Sequence, residues 1–153
     1  MSVLREEEIK NAIVARLMEM APNCEVYKEA TTVPVFPHFF VTVIAFTDNE
    51  WRKGRHLLSY SFDIRYRVKS DPSTDLKLEQ DLDAMAMKLS AWFNVIDCGD
   101  VKVRCENKHC EKVDGVLHFF TTIDVQTLLK NAEAVDTVKQ GKLDVEIELE
   151  VKG

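Results

Sequence analysis

Glycine and proline are scarce, five and four in 153 residues, so the chain lacks the composition of long unstructured tracts and is expected to fold. Long hydrophobic runs are missing too. The longest, Phe39 to Phe46, contains Thr42 and falls far short of the roughly 20 apolar residues a spanning helix requires, so no membrane partner is expected. Positive charge is in the minority, 20 Lys and Arg against 26 Asp and Glu, for a net charge of -6. Neutralising phosphates takes clustered cations, so no sequence-specific nucleic-acid binding is expected. The stretch Met1 to Glu8 enters charged residues at once, without the basic start and apolar core of a signal peptide. The expected compartment is therefore a reducing cytosol, where Cys24, Cys98, Cys105 and Cys110 would be thiols. Also missing are a Gly-rich phosphate loop, a Gly-x-Ser-x-Gly elbow and a zincin helix. No enzyme and no cofactor are expected.

What the chain does have is alternation. From Leu58 to Val68 every even position is apolar or aromatic and every odd position polar, the signature of a half-buried strand. The run Phe39–Phe46 is rich in β-branched and aromatic residues and reads as a central strand covered on both faces. Between the two lies a charged tip with Gly54 as the turn, which makes a long hairpin. A second hairpin is expected from about 101–112 with 116–127, because Asp114-Gly115 supplies the positive φ that a type I′ turn needs at both central positions. Cys24 to Tyr27 reads as a short extended edge piece. At the other end of the sequence, Leu143, Val145, Ile147, Leu149 and Val151 alternate with Asp144, Glu146, Glu148, Glu150 and Lys152. Four carboxylates on one face would repel one another inside a sheet, so this strand belongs at an edge or on another subunit.

Two helices complete the set. Ile9, Ala12, Ile13, Leu17 and Met20 recur at helical spacing, with Ser2 as cap and Pro22 as stop, which predicts helix 1 over about 3–20. Leu78, Leu82, Met85, Leu89, Trp92 and Ile96 form the stripe of helix 2, predicted over about 74–94. The order implies an α+β domain over residues 1–153: an antiparallel sheet of two hairpins plus a C-terminal strand, two helices packed on it, and residues 130–153 as an extended arm or edge strand.

Candidate chemistry is sparse. Cys105, His109 and Cys110, with Cys98 nearby, are metal-ligand types, but they lack paired Cys-x-x-Cys spacing, and His109 and Cys110 would face opposite ways. They read as a core filler, Cys105, and a surface thiol, Cys110. His118, with no nucleophile motif beside it, reads as structural or surface. Asp63 and Asp124 read as partners of Arg65, Arg67 and Arg104 across strands. The best contact surface is the hairpin tip, Trp51, Arg52, Lys53 and Arg55, since Trp and Arg are over-represented at binding hot spots.

Three stretches together carry a family resemblance: the helix-1 pattern, the basic tip running into Tyr60-Ser61-Phe62-Asp63-Ile64-Arg65-Tyr66, and Asp114-Gly115-Val116-Leu117-His118-Phe119-Phe120. With helix 2 between them, residues 3–127 resemble the phage tail terminator (tail completion) family of phages and prophages of Gram-positive bacteria. The resemblance implies a structural protomer that forms a hexameric ring with itself, caps the tail tube and meets the head. Its partners would be the tail tube protein and the head completion or connector protein; its place would be the virion tail, and the host cytoplasm during assembly. The expected interface residues are Trp51, Arg52, Lys53 and Arg55 with Leu143, Val145, Ile147 and Leu149. The alternatives are a head completion or connector protein, and a small cytosolic ligand-binding domain using the groove between helix 2 and the sheet.

Overall fold

A computed structural model describes residues 5–69 and 75–128. Helix α1 (Glu6–Met20) starts with three glutamates, favoured at the positive end of the helix dipole, and buries Ile9, Ile13, Leu17 and Met20. Strands β1 (Glu25–Tyr27), β2 (His38–Arg52) and β3 (Arg55–Arg67) follow, then α2 (Asp75–Trp92), β4 (Val95–Cys98), β5 (Val101–Val113) and β6 (Val116–Leu128). The expected α+β class is present as one six-stranded sheet in the order β1-β2-β3-β6-β5-β4.

The alternation read from Leu58 onward is what centres the sheet. Leu58, Tyr60, Phe62, Ile64 and Tyr66 are buried on one face of β3, joined by Leu117, Phe119 and Ile123 of β6. Ser59 bonds Asp124 and Ser61 bonds Thr122; one number rises as the other falls, so β3 and β6 run antiparallel. The turn from β5 to β6 is the expected one, with Asp114 at φ 52° and Gly115 at φ 77°. In β5 the ladder shifts between Glu106 and His109, where Asn107 takes φ 52°, a β-bulge.

By contact, the chain divides into two compact units. One holds Glu6–Ala45 and Ser61–Ile123; the other, among the described residues, holds Phe46–Tyr60 with 124–128. In the first unit, α1 packs against both β1 and β4, and α2 against β5. Since β1 and β4 are the two terminal strands of the order, the sheet curls round α1. Arg16 fastens this arrangement: its Nε donates to the Trp92 carbonyl at 3.0 Å and its guanidinium lies 4.7 Å from the Trp92 ring centroid.

Three expectations need correction. Ile96 does not extend the α2 stripe; it is a buried residue of β4, a strand absent from the sequence reading. After Phe93 the segment pairs antiparallel with Val101–Arg104 through a tight Gly99-Asp100 turn with Gly99 at φ 67°. Second, β2 is longer than expected and is not covered on both faces, with Ile44 and Phe46 51% and 52% exposed. In β2 the Phe39 ring lies 5.0 Å from the Tyr66 ring, and nearer the tip the Phe46 ring lies 5.0 Å from Tyr60 while Asp48 binds His56. Third, of the arginines assigned to Asp63 and Asp124, Arg65 does bind Asp63 at 3.1 Å but along its own strand, whereas Arg67 lies 5.7 Å from the Phe36 ring and Arg104 reaches Glu106 two residues on at 3.9 Å. The expected strand 143–151 and the connection 130–142 lie outside the described residues.

Candidate interaction surface

The hairpin tip is built by local hydrogen bonding. Lys53 and Gly54 form the turn, Gly54 adopts φ 75°, and its N–H donates to Glu50 Oε2 at 2.8 Å. His56, nearly buried, donates from Nδ1 to Asp48 Oδ1 at 2.6 Å and ties the two arms together. Its Nε2 has no hydrogen-bond partner, and Glu50 Oε2 stands 4.0 Å away. On this frame Trp51 is 50% exposed, with the Arg52 guanidinium 5.0 Å from its ring centroid. Arg52, Lys53 and Arg55 are exposed beside it. The four tip residues picked from the sequence are thus gathered at one turn, and their indole and cations face outward. Leu143, Val145, Ile147 and Leu149 lie outside the described residues.

A second surface was not legible in the sequence. Strand β1 pairs with β2 in parallel only as far as Tyr27 opposite Phe40. No strand among the described residues pairs with this side of β2 beyond that point. The stretch Val41-Thr42-Val43-Ile44-Ala45-Phe46-Thr47 carries no charge; Val41 is buried, while Ile44 and Phe46 are half exposed along an edge whose backbone groups have no strand partner among the described residues.

The polar residues of β3 and β6 make a cluster. Asp63 is buried; its Oδ2 accepts from Arg65 Nε at 3.1 Å and from His118 Nδ1 at 3.0 Å, while Oδ1 has no partner. His118 stacks on Phe120, which stacks in turn on His109. A carboxylate that orients an imidazole resembles half of a nucleophilic dyad, but the nearby hydroxyl of Ser61 is bonded to Thr122 Oγ1 at 3.1 Å. The cluster neutralises a buried carboxylate. Ser59 donates to Asp124 at 2.6 Å, so the second expected carboxylate is also held by its own sheet.

Cys105 is buried and Cys110 exposed, as expected, and Cys98 is buried as well. Burial pushes the Cys105 thiol up to about 11 and raises Cys98 as well. Among the described residues no group of three or more His, Cys, Asp or Glu is placed to hold a metal. A small cleft of about 240 Å³ lies under the proline-containing loop, lined by Tyr27, Pro34, His38, Phe40, Arg65 and Arg67. The alternative groove between helix 2 and the sheet is a different place; this cleft has no α2 residue in its lining. No helix among the described residues is long and apolar enough to cross a membrane.

Comparison with known proteins supplies what the geometry leaves open. A family model described as phage tail terminator protein matches residues 8–136. The chain belongs to the phage tail terminator family. No curated protein matches it. Among matching solved structures, one aligns over 84% of this chain and 100% of its own, with 16% identity and a TM-score of 0.42, too loose a likeness to carry a functional argument. Among the described residues, the tip and the β2 edge are two surfaces that stand open to solvent.

Proposed function

We propose that this tail terminator caps the tail tube as a ring of six copies and offers the surface on which the head completion or connector protein docks. The observation that carries the reading is family membership over residues 8–136, joined to an uncharged strand edge that has no strand partner among the described residues beyond Phe40. The role is one of assembly, not catalysis. Contacts to the tube protein or the connector run through Trp51, Arg52, Lys53 and Arg55, where an aromatic anchor and three cations stand together. A net charge of -6 suits a ring that DNA must traverse without being gripped. The chain acts at the virion tail after assembling in the host cytoplasm.

Imaging of tail tubes capped by this protein tests the reading. Six copies at one end of each tube are expected. Copies found only on heads would transfer the protein to the connector class instead. Replacing Trp51 and Arg52 with alanine is expected to leave the fold intact and weaken attachment to the tube or connector at least tenfold, since interface anchors of this type typically contribute about 2 kcal/mol or more.

A further inference from the structure

The exposed edge of β2 has a counterpart elsewhere in the sequence. From Val41 to Thr47 the edge has no strand partner among the described residues, no charge, and apolar residues at odd and even positions alike, Val41, Val43 and Ala45 alternating with Ile44 and Phe46. An edge of this kind is a template for another strand. Residues Leu143–Val151 are a strand pattern in search of such a place. Leu143, Val145, Ile147, Leu149 and Val151 need an apolar face to rest on, and Asp144, Glu146, Glu148 and Glu150 need water on the other.

We propose that residues Leu143–Val151 of one copy add as an extra strand to the Val41–Thr47 edge of the next copy. The choice of a second copy rests on the ring reading above. A tail that leaves one chain and enters its neighbour makes a head-to-tail contact, the class of interface that generates closed rings, whereas a tail folded onto its own edge would seal it. The connection is long enough. Strand β6 ends at Leu128, and the intervening residues 129–142 reach up to roughly 45 Å when extended. The lengths are also comparable, seven residues in Val41–Thr47 and nine in Leu143–Val151.

The test uses two full-length variants, Ile44→Lys, which places a charge on the edge, and Ile147→Lys, which places one on the apolar face of the tail. Ile44 is 51% exposed, so its variant is expected to fold, checked by circular dichroism and the unfolding midpoint. Sedimentation equilibrium is expected to show the native chain self-associating and each variant weakened by more than about 100-fold. Mixing the two variants is expected to restore pairs, because one supplies an intact tail and the other an intact edge. Hydrogen exchange of the native chain is expected to show amides in Thr42–Thr47 protected in the associated state and exchanging freely on dilution. Undiminished association of both variants overturns the proposal, as does a native chain that stays monomeric with this edge exchanging freely. Protection that persists in the dilute monomer and vanishes in Ile147→Lys assigns the tail to its own edge and also overturns it. The ring stands or falls separately: six copies of the Ile147→Lys chain capping a tube would keep the ring and discard the tail strand.

Discussion

Strands β2 and β5 both outrun the short strand that flanks them, and they handle the exposed remainder in opposite ways. Beyond Arg104, where β4 stops pairing, β5 carries Glu106, Lys108, Glu111 and Lys112 and is broken by the bulge at Asn107. Its lysines also bind α2. Lys108 Nζ donates to the Ser90 carbonyl at 3.0 Å and to Asn94 Oδ1, and Lys112 Nζ sits 2.8 Å from both Glu79 and Asp83. Bulges, edge lysines and a covering helix are the devices by which natural sheets prevent stray pairing. Beyond Phe40, β2 has no such charge until Asp48. A chain able to blunt one edge so thoroughly leaves the other receptive, and that asymmetry is what a directional, head-to-tail assembly requires.

The contrast can be broken most forcefully at its shared support. Phe62 is fully buried on β3, between the two sides of the sheet, and Phe62→Ala is expected to cost about 3 to 5 kcal/mol, lowering the denaturant midpoint and erasing the difference in protection between the edges. Next in size is the bulge. Asn107 holds φ 52°, a region a β-branched residue adopts only under strain, so Asn107→Val is expected to cost about 1 to 2 kcal/mol and to raise aggregation through β5 in light-scattering assays. Smaller still is the lysine tie. Lys112→Ala removes contacts whose carboxylates are mostly exposed, and a barely measurable drop in stability is expected, together with faster hydrogen exchange along β5.

The mildest effect concerns the start of β2. Burial holds the His38 imidazole below its ordinary range, partly offset by the bond from Nδ1 to the Val35 carbonyl. A histidine with a lowered folded-state pKa binds its proton more readily when unfolded. Its contribution to stability is therefore complete above the ordinary histidine value near 6.5 and is lost as pH falls below it. Urea midpoints measured from pH 7.5 to 5 should fall less in His38→Gln than in the native chain.

How much of this was readable beforehand depends on the distance over which each feature is decided. Helix α1 and the Asp114-Gly115 hairpin are local, written in spacing and in two residues that tolerate positive φ, and both stand where expected. Strand β4 was missed because Ile96 falls four residues after Trp92, a helical step; pairing with Val101–Arg104 overrides that local pattern. The continuous apolar run of β2 reads as a strand covered on both faces, yet Ile44 and Phe46 are half exposed, because where the neighbouring elements end is not written in the run itself. The tip residues Trp51, Arg52, Lys53 and Arg55 were found because a turn gathers them locally. The bare edge beside them depends on how soon β1 stops, which no periodicity in β2 reports. Asp63 was assigned to a solvated face, yet it is buried against His118, a partner 55 positions away.

The curl of the sheet round α1 bears on how the chain is made. Helix α1 rests on β4, and Arg16 is anchored to the backbone of Trp92, 76 positions later. A nascent chain emerging from the ribosome can rest α1 on β1 early, but the side of the helix that meets β4 stays in water until the segment near Cys98 has been synthesised.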